Sequence, residues 1–205
     1  MTITVVIASY KYGHLAAHCI ESILAQTKKA DKIILVDDGV GDCNHLKNLY
    51  KDVEFIFRPN NLGTVKNFNE ALQKVTTERC MFIGADNWLR PDALELLSEK
   101  TTDIVTYDIL VTGELKQLRI DADATAKYSN VTGDLYWDRT DKHHGSMLYN
   151  TELAQQIGYR RHKTTKHSAE DLYLWDSMLQ LGATVSHVPE GLLFYRQHRQ
   201  NFNRY

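Results

Sequence analysis

The chain has 205 residues, a formal net charge of −2, and 43% hydrophobic and 24% charged residues. This length supports one well-built core, and the composition is typical of a soluble globular protein. The nearly neutral charge excludes a nucleic-acid binder that depends on bulk electrostatics, so we expect no nucleic-acid partner. It leaves open the binding of a single nucleotide through local contacts.

The cysteines and the N-terminus indicate a reduced, cytoplasmic protein. Cys19, Cys43 and Cys80 are isolated and lack the paired spacing of a disulfide framework or a zinc site. The first apolar run has only strand length and no basic region before it, so we expect no signal peptide. No apolar run reaches the length of a membrane-spanning helix, although peripheral association with a membrane stays compatible with the sequence.

The first half of the chain alternates strand and helix patterns. Four strands and three helices are predicted, a pattern typical of an α/β fold with a mostly parallel sheet and right-handed crossovers. Thr64 is the expected N-cap of the third helix. The predicted strands are Ile3–Ala8, Lys32–Val36, Val53–Phe57 and Arg79–Ile83, and the predicted helices are Leu15–Ala25, His45–Tyr50 and Thr64–Val75.

Polar residues follow three of these strands: Ser9-Tyr10, Asp37-Asp38 and Asp86-Asn87. Because the carboxyl ends of parallel strands share one edge of a sheet, these groups are expected to meet in one crevice. Each also has a plainer interpretation. Asp38 suits a turn before a glycine, and Asp86 suits the N-cap of a helix that starts near Pro91. No glycine-rich phosphate motif is present, so a bound diphosphate would need a metal or basic side chains.

The second half predicts helices at 91–100 and 151–157, strands at 103–110 and around 184–188, and a further helix that opens at Glu170-Asp171. Acidic residues are favoured at a helix start in any case. Trp137 lies in an aromatic stretch that suits either sugar stacking or a packing cluster. The basic segment 159–168 is either solvated or meets an anionic acceptor or a diphosphate, and we expect it to be mobile when empty. The polar segment 112–130 has no assigned role.

Four motifs in order resemble those of family 2 glycosyltransferases, which are enzymes of the GT-A fold. They are Val6-Ile7-Ala8-Ser9-Tyr10, Ile34-Leu35-Val36-Asp37-Asp38-Gly39, Asn60-Asn61-Leu62-Gly63 and Phe82-Ile83-Gly84-Ala85-Asp86-Asn87. The resemblance implies a single GT-A domain over 1–205. About 1–90 would form the nucleotide-binding half, and about 91–205 the acceptor-binding and catalytic half with a small antiparallel portion.

The resemblance also implies roles for individual residues. Asp171 would be the general base, Glu170 and Trp137 would bind the acceptor, and Asp86 with His198 would hold Mn²⁺ or Mg²⁺. The residues implied to bind the nucleotide are Ala8, Ser9, Tyr10, Asp38, Lys66, Asn67, Ala85, Asp86 and Arg196.

The implied reaction is the inverting transfer of a sugar from a nucleotide-diphosphate donor to an acceptor hydroxyl. A UDP-sugar is favoured over a GDP-sugar, and a glycan or glycoconjugate of polysaccharide biosynthesis is the expected acceptor.

The metal motif departs from the family pattern, because Gly84 takes the first acidic position and Asn87 follows Asp86. Fewer charges weaken the affinity of a site for a hard cation. Two alternatives therefore stay open. One is a non-catalytic nucleotide- or sugar-binding module. The other is a sugar nucleotidyltransferase, although the loop after the first strand is a poor match to the glycine-rich loop that such an enzyme needs.

Overall fold

The computed structural model describes residues 1–113, 124–128, 135–139, 144–163 and 169–198. The strands are β1 Ile3–Ser9, β2 Lys32–Asp37, β3 Glu54–Phe57, β4 Arg79–Gly84, β5 Trp88–Leu89, β6 Ile104–Gly113, β7 Ala124–Tyr128, β8 Leu135–Arg139, β9 Leu148–Asn150 and β10 Val185–Gln197. The α-helices are α1 Gly13–Leu24, α2 Gly63–Leu72, α3 Ala93–Ser98, α4 Thr151–Ile157 and α5 Glu170–Gln180, and Asn44–Asn48 forms a 3-10 helix.

The described strands form one sheet in the order β3-β2-β1-β4-β9-β6-β10-β5, and the β7–β8 hairpin pairs with β6 through β8. Strands β1 to β4 are parallel to their neighbours among themselves, and β6 is parallel to β10. The short strand β9 runs antiparallel between β4 and β6 and so joins the two parallel parts. This arrangement is the mostly parallel α/β sheet, with an antiparallel portion in the second half, that the sequence predicts.

Both faces of the sheet are covered, which explains why the first strand is apolar over most of its length. Ile3, Val5 and Ile7 point into a cluster with α1 and α3, whereas Val6 points into a second cluster with α2, α4 and α5. Successive side chains of a strand point to opposite faces, so a strand covered on both sides needs apolar residues at consecutive positions.

Several local predictions are wrong in detail. Helix α2 begins at Gly63 and not at Thr64. Its N-cap residue is therefore Leu62, which makes no side-chain capping hydrogen bond. The segment predicted as a helix at 45–50 is the short 3-10 helix. Asp86 is not the N-cap of α3, because β5 intervenes and Asp92 precedes the helix. Contacts with Asp38 lie at the observed start of α2, and the pairing of β5 with β10 accounts for the strand between Asp86 and α3.

In the part of the chain that the structure describes, no helix has the length and apolar character needed to cross a membrane.

Asp103, directly before β6, is hydrogen-bonded to Thr184, directly before the parallel strand β10. Its Oδ2 accepts hydrogen bonds from the backbone N–H of Thr184 at 3.0 Å and from the Thr184 hydroxyl at 2.7 Å. The Thr184 hydroxyl oxygen in turn accepts the Asp103 N–H at 3.0 Å. The carboxylate therefore fixes the register in which β6 and β10 begin. These hydrogen bonds, the backbone one first, lower the pKa of Asp103.

We expect Asp103→Ala to lower the free energy of unfolding by about 1–2 kcal/mol at neutral pH, because it removes two hydrogen bonds to a charged acceptor. The pKa of Asp103 is lower in the folded chain than in the unfolded one. Its contribution is therefore present above the unfolded pKa of about 4 and is lost as the pH falls through the lowered folded pKa.

Urea unfolding of the parent and the variant at neutral and acidic pH measures this effect. The difference in free energy of unfolding between the parent and Asp103→Ala should become smaller in acid. Asp52→Ala, at an exposed position, is the matched control and should leave stability unchanged at both pH values. A gap of the same size at both pH values would contradict the assignment to the charged carboxylate.

Candidate active site

The carboxyl ends of β2, β1 and β4 bring the predicted nucleotide residues to one edge of the sheet. Ser9 lies opposite Asp37 in the β1–β2 register, and Ala8 lies opposite Gly84 in the β1–β4 register. Beyond the strands, the N–H of Asp38 donates to the carbonyl of Ser9 and the N–H of Ala85 donates to the carbonyl of Ala8, both at 2.9 Å. Residues 29 and 77 positions apart in sequence are thus held together by backbone hydrogen bonds.

Asp38 is fixed by the start of α2. Its Oδ1 accepts the N–H of Leu62 at 2.9 Å, and its Oδ2 accepts the N–H of Gly63 at 3.2 Å. The side chain is buried and ties β2 to α2. A carboxylate has about four acceptor positions, so these two bonds leave capacity for a donor such as the N–H of a base.

The two predicted residues on α2 have different surroundings. Asn67 is buried, and its Oδ1 accepts a hydrogen bond from Arg58 Nε at 3.3 Å. The Lys66 side chain is 65% exposed and lies 4.0 Å from Glu70. Arg58, directly after β3, also forms an ion pair with Glu70 at 2.7 Å, and this cation was not among the predicted site residues. Its place directly after a predicted strand, beside the other polar strand ends, was the available signal.

Tyr10 follows β1 and is partly buried. The Lys11 Nζ lies 5.0 Å from the centre of the Tyr10 ring, and Lys11 has a φ of 66°, in the left-handed region that few residues other than glycine adopt. The turn after β1 is therefore locally strained, as is common beside functional sites.

Asp86 lies in a tight turn directly after β4, in which the N–H of Asn87 donates to the carbonyl of Gly84 at 3.0 Å. Its side chain is buried, and its Oδ2 lies 3.1 Å from His198 Nε2. Burial raises the pKa of Asp86, and the hydrogen bond and charge of His198 act in the opposite direction. The structure thus brings together the two residues that the resemblance implies as metal ligands, although 112 positions separate them.

Gly84 makes room for the Asp86 carboxylate. A Cβ atom built on Gly84 would lie 2.6 Å from Asp86 Oδ1, which is closer than van der Waals contact allows. The glycine at the first acidic position of the family motif is therefore coupled to the conformation of the aspartate that remains.

Arg196 is held beside Asp86 by both its backbone and its side chain. Its N–H donates to Asn87 Oδ1 and its Nε donates to the Asp86 carbonyl, each at 2.9 Å. Its guanidinium lies over the Trp88 ring at 4.7 Å, and its Nη2 lies 3.1 Å from Nδ1 of the exposed His18. A planar cation fixed in this way is suited to bind phosphate oxygens.

The donor set of Asp86 and His198 fits a divalent cation. One carboxylate and one imidazole lie within hydrogen-bond distance of each other, and both are ligand types that divalent metals accept. The buried carboxylate is also desolvated, as the raised pKa indicates, so a cation beside it would offset a real electrostatic cost. His198 is packed edge-on against the Tyr12 ring, at 5.5 Å between ring centres, which orients the imidazole.

A second group of potential ligands occurs after β2. Among the described residues, Asp37, Asp42 and Cys43 have ligand atoms within 4.8 Å of one another. The carboxylate oxygens of Asp37 accept three backbone N–H groups of the following turn, and Asp42 Oδ2 accepts the N–H of Gly13. Burial raises the pKa of the Cys43 thiol to about 12, which keeps it protonated at neutral pH. The contacts of this group are therefore those of a turn.

The Glu-Asp pair opens α5. The residue before it, Ala169, has a φ of 38° in the left-handed region, and this bend turns the chain into the helix. Asp171 Oδ1 accepts the N–H of Leu172 at 2.8 Å, which orients the carboxylate. The Glu170 side chain is buried, and its Oε2 has no hydrogen-bond partner among the described residues. A buried carboxylate oxygen without a partner is costly and points to a missing ligand.

Asp171 reaches the same edge of the sheet as Asp86. A Cβ atom on Gly145 would lie 2.8 Å from Asp171 Oδ2, so this carboxylate packs against the backbone that leads into β9. Strand β9 runs antiparallel to β4, with Leu148 opposite Met81. The residues before β9 therefore run towards the carboxyl end of β4, where the Asp86 turn begins.

Trp137 lies on β8, opposite Ile109 of β6. Its side chain lies outside the described part of the structure, so its predicted contact with an acceptor stays a prediction.

The model of the family named glycosyl transferase family 2 matches residues 4–158. An uncharacterized glycosyltransferase of Haemophilus influenzae is 26% identical over 96% of this chain and 65% of its own length. GlyA, a glycosyltransferase of Streptococcus pneumoniae, is 23% identical over 98% of this chain and 31% of its own.

Among solved structures, residues 1–349 of S. aureus TarS in complex with UDP-GlcNAc superpose with a TM-score of 0.73 and 14% identity, over 98% of this chain and 60% of that one. The same part of TarS in complex with UDP has a TM-score of 0.72. The chain thus spans less than two thirds of the length of these relatives. The family match covers most of the chain and the likeness to TarS confirms the predicted fold, so the chain belongs to glycosyl transferase family 2 and has the GT-A fold.

Proposed function

We propose that the chain transfers a sugar from a nucleotide-diphosphate donor, with a UDP-sugar favoured, to a hydroxyl group of a glycan or glycoconjugate, with inversion at the anomeric carbon. The observation that carries this proposal is the placement of two groups at one edge of the sheet. One is the Asp86–His198–Arg196 group after β4, and the other is the Asp171 carboxylate against Gly145. UDP and UDP-GlcNAc in the TarS structures support a uridine donor.

Asp86 and His198 would hold the divalent cation, either Mn²⁺ or Mg²⁺, and Arg196 would bind the phosphates beside it. A bound cation there would stabilise the negative charge that grows on the departing diphosphate. The protein's own contribution is a fixed guanidinium, because Trp88, His18 and the Asp86 carbonyl hold Arg196 before the donor arrives. Such preorganisation removes the cost of ordering a long side chain during the reaction.

Asp171 would act as the general base. It would take the proton of the acceptor hydroxyl while that oxygen attacks the anomeric carbon and the bond to the diphosphate breaks. A single displacement of this kind inverts the configuration. The backbone N–H of Leu172 holds the carboxylate in place. Glu170, whose buried Oε2 has no described partner, would accept a hydrogen bond from the acceptor sugar.

A binding module without catalytic activity is the second candidate, and the metal motif favours it. Gly84 and Asn87 leave Asp86 as the one carboxylate among the four residues of this turn. The first experiment therefore follows the release of UDP or GDP from a panel of nucleotide-sugars, with Mn²⁺ and with chelator. Metal-dependent release from one donor supports the enzyme. Binding of UDP without turnover of any donor, in the presence of an acceptor panel, supports the module.

We expect Asp171→Asn to lower the transfer rate by about 10²–10⁴-fold, the usual contribution of a general base. The affinity for UDP should not change, because the amide has the same shape and lies on the acceptor side. Transfer kinetics and calorimetric titration of UDP measure the two effects. Asp52→Asn, an exposed carboxylate elsewhere, is the control. A transfer rate equal to that of the parent would remove Asp171 from this role.

We expect Asp86→Asn to weaken UDP binding in the presence of Mn²⁺ and to leave binding in chelator nearly unchanged, because the loss concerns the metal ligand. The measurement is a calorimetric titration of UDP in both buffers. The same loss in both buffers would mean that Asp86 acts on the nucleotide without a metal.

Gly84→Ala should also weaken metal-dependent UDP binding, although it adds only a methyl group. The reason is the 2.6 Å separation between the added Cβ and Asp86 Oδ1, which forces the carboxylate out of its position. Gly84→Asp, which restores the family's acidic residue, should likewise fail to improve binding. Tighter metal-dependent UDP binding by either variant would contradict the coupling. Thermal unfolding checks that both variants are folded.

A further inference from the structure

Three exposed cations follow α4 on the segment that leads towards α5. They are Arg160, Arg161 and Lys163, which we call the cationic strip. No ion pair joins any of the three to another described residue, whereas the nearby acid Asp176 pairs with His162 at 3.0 Å between Oδ2 and Nε2. The strip is thus a local positive surface on a chain whose formal net charge is −2.

The backbone of the strip is anchored. Immediately before it, the Tyr159 N–H donates to Asn69 Oδ1 and the Tyr159 carbonyl accepts from Asn69 Nδ2, both at 2.7 Å. Within it, His162 bonds to Asp176 on α5, and the Arg160 guanidinium lies 5.9 Å from the centre of the Tyr173 ring. Contacts to both α2 and α5 therefore hold the backbone of the strip in place.

The strip lies beside the proposed base. Arg160 packs on Tyr173, which lies three residues after Glu170 and therefore on the same face of α5 as Glu170. Tyr159, directly before the strip, is buried, and burial above all raises its pKa, with smaller contributions in the same direction from the charges of Asp171 and Glu170. Arg160 thus brings the strip to the first turns of α5, where the Glu-Asp pair lies.

Two carboxylates at an acceptor site repel an acceptor that carries negative charge. Three cations next to them, on an anchored backbone, would offset that repulsion and attract the anionic groups that flank the reacting hydroxyl. The donor diphosphate has a separate cation in Arg196, which is held at Asp86 and Trp88.

We propose that the cationic strip binds phosphate or carboxylate groups of the acceptor, so that the substrate class is an anionic glycan. This inference rests on the proposed function, because only a transferase has an acceptor. The binding of an anionic glycan to the strip can nevertheless be tested without turnover.

The test compares a strip variant, Arg160→Gln with Arg161→Gln and Lys163→Gln, with a control that removes the same charge elsewhere, Lys51→Gln with Lys74→Gln and Lys100→Gln. Fluorescence anisotropy measures the binding of three labelled probes in the presence of UDP and Mn²⁺. The probes are a neutral malto-oligosaccharide, an oligogalacturonate and a glycerol phosphate oligomer. Thermal unfolding checks that both variants are folded.

We expect the parent to bind an anionic probe more tightly than the neutral one, and the strip variant to lose about tenfold of that affinity while the control loses little. The affinity of the parent should fall with added salt, and that of the strip variant should depend on salt less steeply. Preference for the glycerol phosphate oligomer or for the oligogalacturonate identifies phosphate or carboxylate as the bound group.

Three outcomes would overturn the proposal. The first is equal binding of neutral and anionic probes by the parent. The second is a loss of UDP affinity in the strip variant, which would assign the strip to the donor. The third is tested by sedimentation of both variants with vesicles of phosphatidylcholine and phosphatidylglycerol: a strip variant that loses binding to the vesicles but keeps its affinity for the anionic probes would assign the strip to a membrane surface. If anionic probes bind as expected but no donor is turned over, the strip assignment stands and the enzymatic function fails.

Discussion

The hydrogen bonding of three neighbouring parallel strands, β2, β1 and β4, is the constraint on which the rest of the structure depends. Their carboxyl ends stop at the same level, so the chain must turn there three times within a small area. Backbone hydrogen bonds hold the chain together just beyond the strand ends, from the N–H of Asp38 to the carbonyl of Ser9 and from the N–H of Ala85 to the carbonyl of Ala8. The pairing of the strands therefore brings the polar residues of these turns close together, without any contact between their side chains being needed.

The second half of the chain reaches the same edge of the sheet by a different route, through β9 and β10. The antiparallel strand β9 is only three residues long, but it lies between β4 and β6 and carries the preceding residues back towards the Asp86 turn. The long strand β10 passes a bulge between Val188 and Leu193 and then brings Arg196 to the backbone of Asp86. Parts of both halves therefore meet at one turn, and neither half would form the candidate site alone.

Much of this arrangement follows from the sequence. Apolar runs at strand length predict β1, β2 and β4 because those strands are buried on both faces, and helix α4 was predicted with the bounds that it has. The two short strands were not predicted. Trp88-Leu89 is too short to show a period, and it is a strand only because β10 pairs with it. Helix α2 begins at Gly63, one residue before the predicted start, at a point where Asp38, which is distant in sequence, accepts the N–H groups of Leu62 and Gly63. The resemblance to the family implied both Asp86 and His198 as metal ligands, but neither His18 nor Arg58 was foreseen, since their contacts depend on packing.

The burial of the cysteines has a practical consequence. Cys19 on α1, Cys43 in the turn after β2 and Cys80 in β4 are each fully enclosed. Burial raises the pKa of Cys43 and of Cys80 to about 12, so that at neutral pH both are protonated thiols and not the reactive thiolate. Alkylation of each thiol therefore requires that its surroundings open. The native chain carries three built-in reporters of local unfolding, spread over the half that holds the Asp86 turn, and no labelling site has to be introduced.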